Sequence, residues 1–480
     1  MSICGRPKQL ILLVVASIGI GGGCARRVVG VAPAAVVAND VSPLVQRGCY
    51  RCLEQAFARA QALGVRAQAF EVAALLSLRS KELGLPYDEW LRRARAIATG
   101  ASETLAVEII DALPIDPLSD REASIDFARR ARLRTNLTPW RASLQTGETS
   151  ALFRAYVDAA LVCAALGPPE RDAALAIADR PDAPLLQFRI GVCTSAYVDR
   201  LRRVRSADAT FVDADYYLAR YLLEDSNPDT DEAVTLLQSA GSAFPQSAAI
   251  STLLGQQHQA REEWTDALGA YDRALSASPR AADAALGRTV ALTRVGRRDE
   301  AIDAATRLID DGRWFAGEAF YWRAWNELAL ARLDVARSDA DRAKSLMANA
   351  AVFSLSGIID WRLRRLESAE AEFEKAVSMD LGQCEAAQYL GGVRGERARL
   401  PEAKAALLQA RQCYDLSITL RREAIARILA SPAAEGAKSR AAEGQERAIR
   451  DIETKRREVD SALAVIEQTL ERARESTTGR

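Results

Sequence analysis

Between residues 214 and 417, small, apolar and aromatic positions return with a period of about 34 residues. The clearest unit, Ala248 to Ala281, carries Leu254-Gly255, Ala267, Tyr271, Ala274 and Pro279. Apolar residues inside it recur at three- and four-residue intervals, which predicts two helices joined by a tight turn. Gly255 and Ala267 let the two helices approach, Ala274 leaves room for the next unit, and Tyr271 fills the space between units. Pro279 ends the second helix because it lacks an amide donor. Units start at 214, 248, 282, 317, 350 and 384. The weaker ones keep the register through Ala233, Leu237, Ala240 and Pro245, then Asp299-Glu300-Ala301-Ile302, then Ala324, Ala336 and Ala343. Gly357, Ala369, Phe373 and Ala376 follow, and the last unit has Leu390-Gly391, Ala403 and Ala410.

The helical pattern continues outside the period. Residues 49–100 predict three helices broken at Gly64, Gly84 and Pro86, and the whole of 43–206 reads as helical with degenerate, repeat-like spacing. Thr135 to Thr149 is polar and holds Pro139 and Gly147, so a loop is expected there. No alternating pattern bounded by hairpin turns occurs. After Ser417 the period stops. A helix over 418–430 is expected to cap the last unit, a break follows around Pro432 and Gly436, and a charged amphipathic helix runs over about 438–476. The apolar positions of that last helix, Ile452, Val459, Leu463, Ile466 and Leu470, follow coiled-coil spacing for little more than two heptads, so it is expected to pack back on the units, with a dimerising coil as the alternative.

The 34-residue period with these small residues and the proline resembles the tetratricopeptide repeat, TPR, over residues 214–417. The resemblance implies an all-α fold: a right-handed α-solenoid of stacked helix-turn-helix repeats, followed by the long C-terminal helix. It also implies a concave groove built mainly from the first helix, helix A, of each unit, where extended peptides or partner helices are held. Carried over place by place, the groove-lining residues are Arg294, Tyr321, Trp325, Ile358, Trp361 and Arg362. Arginine and aromatic side chains supply large contact area with few rotors to freeze. The Lys and Asn set with which some relatives clamp a C-terminal carboxylate is replaced by residues such as Leu253, Gly287 and Leu355, so no tail-carboxylate receptor is expected.

The N-terminus reads as an export signal: Arg6 and Lys8, then the apolar run Leu10 to Ile20. Gly21-Gly22-Gly23-Cys24 resembles the lipobox of bacterial lipoproteins, with Gly21 where leucine is usual. The resemblance implies loss of residues 1–23, lipidation of Cys24, a tether over 24–42 and a membrane partner through the lipid. Cleavage near Ala34 or Ala35 by ordinary signal peptidase is the other reading. Ala25 is not the aspartate that retains lipoproteins at the inner membrane, so a periplasmic position on the outer membrane is expected.

Export permits disulfides. Beyond Cys4 and Cys24 the chain has Cys49 and Cys52, Cys163 and Cys193, and Cys384 and Cys413. Six cysteines allow fifteen pairings, and buried thiols are the alternative. Cys384 and Cys413 fall at the start of helix A and the end of helix B of one repeat, ends that antiparallel helices bring together. Cys49-Tyr50-Arg51-Cys52 invites a redox reading, but no strand precedes it as in a thioredoxin-like site, so a local structural disulfide is expected.

Composition narrows the chemistry. Lys+Arg and Asp+Glu are 64 each, which removes the electrostatic case for nucleic acid. The single histidine, His258, excludes multi-histidine metal sites and is expected to pack in its repeat. There is no phosphate-binding Gly-Lys-Ser/Thr loop, no Gly-x-Ser-x-Gly elbow and no Ser-x-x-Lys. No catalytic residue, metal or cofactor is expected. The sequence points to a non-enzymatic scaffold of the bacterial cell envelope that binds partner proteins. An envelope enzyme with its site in residues 40–206, or a secretion or assembly accessory, is the alternative.

Overall fold

A computed structural model describes residues 40–114, 127–176, 183–194, 197–224, 230–312, 314–430 and 435–478. The signal, Cys24 and most of the tether lie outside the described residues. Val41 is buried and Ser42–Arg47 is helical. Every element among the described residues is a helix, and no strand occurs among them. The protein is an all-α solenoid of helix-turn-helix pairs.

The periodic half shows why the residues recur. Helix A begins at Ala248, Ala282, Ala316, Ala350 and Cys384, and helix B at Trp264, Arg298, Leu333, Leu366 and Leu400. Ser247 and Asn349 cap two of the A helices, accepting from the amides of Ile250 and Val352 at 3.1 Å each. The A–B turn needs one left-handed residue, and it falls at Glu262, Gly296, Ala331, Arg364 and Ala398. Only Gly296 adopts that conformation without Cβ strain.

Nesting follows from volume. A Cβ on Gly255 would lie 2.7 Å from the Tyr271 ring, and one on Gly287 of the next unit 2.2 Å from it. The tyrosine is thus seated between two glycines, one on each side of the unit boundary. Phe373 sits against Gly357 in the same way, and Leu407 against Gly391. Where helix B carries only Ala340 at this place, the following helix A brings Leu355 into the same cluster. Arginines then lock the helices together: Arg323 forks onto Asp339 of its own unit with both contacts at 2.7 Å, and Arg261 reaches Asp231 of the preceding unit at 2.6 Å.

The N-terminal half is organised around Arg66–Glu82, a helix buried on nearly all sides from Ala69 onward. Its charged residues are each paired. Arg79 donates to Glu82 at 2.8 Å and to Asp213 at 2.7 Å and lies 3.8 Å from the centre of the Phe188 ring. Tyr156 donates to Glu82 at 2.8 Å, Arg189 pairs with the same carboxylate, and Asp213 accepts the Tyr50 amide at 3.0 Å. Two guanidiniums and two carboxylates make a neutral set that joins five helices. Lys81 caps the helix Ala101–Ala112 by donating to the carbonyls of Ile110, Asp111 and Leu113.

Two sequence expectations are corrected. Residues 135–145 are not a loop but part of the helix Phe127–Gln145, with Pro139 inside it. Leu133, Trp140 and Leu144 bury one stripe of that helix, and this burial outweighs the missing amide. Residues 418–430 are not a separate cap but the continuation of helix B of the last unit, Leu400–Ala430. The capping is done by Glu435–Thr478, which returns antiparallel: Lys404 meets Glu467 at 2.7 Å and Arg422 meets Glu453 at 3.3 Å. Val459 and Leu463 bury against the same cluster as Leu390, Leu407 and Tyr414.

Three disulfides are present, Cys49–Cys52, Cys163–Cys193 and Cys384–Cys413, with Cα separations of 5.0, 5.9 and 5.4 Å. The two long ones each join a pair of helical segments, and closing loops of about thirty residues contributes roughly 3 kcal/mol apiece.

The nesting and the turns make predictions of opposite sign. Gly287→Ala should cost about 1–3 kcal/mol, because the Tyr271 ring has no room to give. Ala331→Gly should gain about 0.5 kcal/mol by relieving the left-handed turn. Urea unfolding of both variants checks this; a neutral Gly287→Ala contradicts the packing.

Candidate functional site

The groove is built by the A helices Ala282–Arg294, Ala316–Ala329, Ala350–Arg362 and Cys384–Glu396, whose small residues let them stand side by side. Their outward turns carry the aromatic and arginine side chains. Tyr321 and Trp325, one turn apart with ring centres at 6.5 Å, are half-buried against Ala324, Ala336, Ala340, Leu355 and Ile359. Ile358 and Trp361 are half-buried at the edge of the C-terminal cluster. The Trp361 indole donates to Glu396 at 2.8 Å and its ring lies 5.7 Å from Tyr389. Arg362 is exposed, with no ion pair among the described residues.

Arg294 is exposed as well, but its head group is placed. The guanidinium lies 5.5 Å from the centre of Trp264 and 5.9 Å from that of Trp322, between rings of the units on either side. Sequence reasoning passed over both tryptophans. Trp264 opens a B helix, and Trp322 stands one residue from Tyr321, where the pattern gives no sign that a neighbouring arginine will reach it.

Burial pushes the Tyr321 hydroxyl above its ordinary pKa, with Arg294 opposing the shift and Glu385 adding to it. Burial also raises Tyr389, whose charged neighbours are Glu385, Lys455, Arg362 and Glu458. The candidate groove is the row Arg294, Tyr321, Trp325, Trp361, Arg362 and Tyr389. Its far end is closed by the C-terminal helix, where Lys455 pairs with Glu385 and Gln388 donates to Glu458 at 3.3 Å. The middle is apolar and aromatic, and the ends are charged with both signs. Such a surface can bury apolar side chains of a polypeptide and answer charges at either end.

Glu370 holds the last A helix in line. Buried in helix B of the preceding unit, it accepts from Arg394 at 2.8 Å and Arg399 at 2.6 Å, and Arg397 joins them. Burial works against its charge, but the three guanidiniums win and hold the carboxyl below the ordinary glutamate range. His258 donates its Nδ1–H to the Glu263 carboxylate at 2.6 Å beside the A–B turn. With Asp266 it forms a group of three possible ligands, both carboxylates of which are exposed.

No protein-family model matches the chain. One curated relative, the ER membrane protein complex subunit 2-A of Xenopus laevis, is 33% identical over 109 residues, 22% of this chain. The match spans 35% of that relative's length. Among solved structures, yeast Tom70 is similar at 13% identity over 88% of this chain and 92% of its own, with a TM-score of 0.33. The APC/C hetero-tetramer Cut9–Hcn1 gives 12% identity over 87% and 88%, with a TM-score of 0.37. YrrB, a TPR protein with an unusual peptide-binding site, gives 21% over 37% and 91%, with a TM-score of 0.30. These superpositions are loose. The solenoid rests on this chain's own period, helix pairing and turns.

The Glu370 clamp carries a pH prediction. Its folded pKa is lowered, so its contribution is complete above about pH 4.5 and is lost as the pH falls through the folded value. Glu370→Gln should cost on the order of 2 kcal/mol at neutral pH, leaving three arginines facing a neutral amide, and should flatten the stability curve on the acid side. Urea midpoints measured from pH 7 downward check this; parallel curves for variant and parent contradict it.

Proposed function

We propose that this protein is a non-enzymatic scaffold of the bacterial cell envelope that binds partner polypeptides along the groove formed by its A helices. The observation that carries the reading is the row Arg294, Tyr321, Trp325, Trp361, Arg362 and Tyr389. It is an aromatic strip with arginines along it, held on stacked helices rather than on loops. The apolar middle would bury aliphatic or aromatic side chains of an extended segment or partner helix. Arg294 and Arg362 would answer its acidic positions. The export signal and Cys24 support a periplasmic position, with the lipidated cysteine anchoring the chain to the outer membrane.

Trp325 and Trp361 also pack between units, so replacing them would disturb the fold. The exposed arginines are the cleaner probes. Arg294→Glu with Arg362→Glu should lower partner capture at least about tenfold while the thermal midpoint moves by no more than about two degrees. In intact cells, a photo-crosslinker at position 362 should trap partners, and one at Arg307, exposed on a B helix, should not. Equal trapping at both positions would place binding elsewhere. Anchoring has its own test. Cys24→Ser should move the chain from the membrane to the soluble fraction; unchanged membrane association would remove the lipid anchor from the reading.

A further inference from the structure

The short disulfide has surroundings that a structural staple does not need. Cys49 is the N-cap of the helix Tyr50–Ala62, and Cys52 lies in the first turn. The Cys52 amide points at the Cys49 sulfur at 3.1 Å, and the Thr210 hydroxyl lies 3.8 Å from it. Cys49 and Cys52 are buried, at 2% and 3% exposure, and a cavity of about 410 Å³ is their one approach among the described residues, lined by both together with Arg47, Arg51, Thr210 and Phe244. Arg47 pairs with Asp208 at 3.0 Å, whereas Arg51 is exposed at the rim. Asp213, which also lines the cavity, is committed to Arg79 at 2.7 Å, and Glu54 is exposed one turn along the helix.

As a staple this bridge does little. It closes a loop of three residues, whereas the other two span 30 and 29, and loop-closure stabilisation grows with loop size. Its position favours chemistry instead. A helix N-terminus and sulfur-directed donors stabilise a thiolate, and a thiolate is both the leaving group and the nucleophile of disulfide exchange. What that chemistry needs is the helix N-terminus, so the missing strand does not remove it. The Cys163–Cys193 bridge also borders a cavity, but its sulfurs lie at or just past the C-terminal ends of their helices, where the backbone dipole disfavours a thiolate.

We propose that Cys49–Cys52 is a thiol–disulfide exchange site that oxidises a dithiol carried on an acidic polypeptide segment. One thiolate of the partner attacks the Cys49 sulfur through the cavity, the Cys49–Cys52 bond breaks, and Cys52 leaves as a thiolate. The partner's second thiolate then attacks its own sulfur in the mixed disulfide and releases Cys49 as a thiolate at the helix N-terminus. Two electrons pass from the dithiol to the bridge, the two thiol protons go to solvent or to the new thiolates, and the partner is left with the disulfide. The Arg51 charge at the rim favours acidic flanking residues.

The full-length protein is equilibrated in buffers of reduced and oxidised glutathione, and its cysteines are mapped by alkylation and mass spectrometry. Cys49 and Cys52 should become reduced at a less reducing ratio than the other four, with helical content unchanged. Reduction of this pair last, or only on unfolding, overturns the proposal. In Cys52→Ala, the Cys49 thiolate absorbance should titrate below the ordinary thiol value of about 8.5; titration at or above it overturns the proposal without relying on exchange. A synthetic dithiol peptide flanked by glutamates should be oxidised by the parent protein, and Arg51→Glu should slow that reaction about three- to tenfold without slowing a neutral peptide. Exchange with glutathione but with neither peptide would overturn the assignment of a polypeptide partner.

Discussion

The Tyr271 ring seated between Gly255 and Gly287 is the constraint on which the periodic half depends. A large side chain on helix B needs an absent side chain on the A helix of its own unit, and Tyr271 needs one on the next unit's A helix as well. That requirement ties residues across a unit boundary and holds the A helices side by side. Because each unit meets only its neighbours, the same constraint must be met again about 34 residues later. It is met with Phe373 against Gly357 and Leu407 against Gly391, or with Ala340 answered by Leu355. The groove is the consequence: helices brought this close present their remaining side chains on one continuous surface.

Charge refines what volume builds. Arginine is the cation used almost throughout, and its planar fork suits bidentate locks between helices, as in Arg323 on Asp339 within one unit. The N-terminal half, where no period guides the stacking, uses the same group differently. Arg79 and Arg189 are buried with Glu82 and Asp213 in a neutral set, so the helices around Arg66–Glu82 are specified by polar partners as well as by shape. The three guanidiniums on Glu370 carry that device to the last unit and fix the A helix at the end of the groove.

The periodic half was legible because its packing rule acts on residue size at fixed spacing, and size is written in the sequence. The groove residues could be placed on their helices for the same reason. Their contacts could not: Arg294 between Trp264 and Trp322, and the Trp361 indole on Glu396, join residues of different units whose spacing carries no signature. Local signals misled where tertiary burial overrode them. Pro139 suggests a loop, yet Leu133, Trp140 and Leu144 keep the segment helical. The loss of period at Ser417 suggests a new element, yet the helix continues to Ala430. The neutral network around Arg79 left no trace, since charges far apart in sequence announce nothing about which of them meet.

If the groove is the working surface, its occupation should be visible in the backbone. Hydrogen–deuterium exchange on the protein with and without a captured partner tests this most directly. The account predicts slowed exchange in the helices Ala282–Arg294, Ala316–Ala329 and Ala350–Arg362, with the outer faces of Arg298–Asp311 and Leu333–Leu346 unaffected. Protection confined to the B helices, or to the N-terminal half, would contradict it.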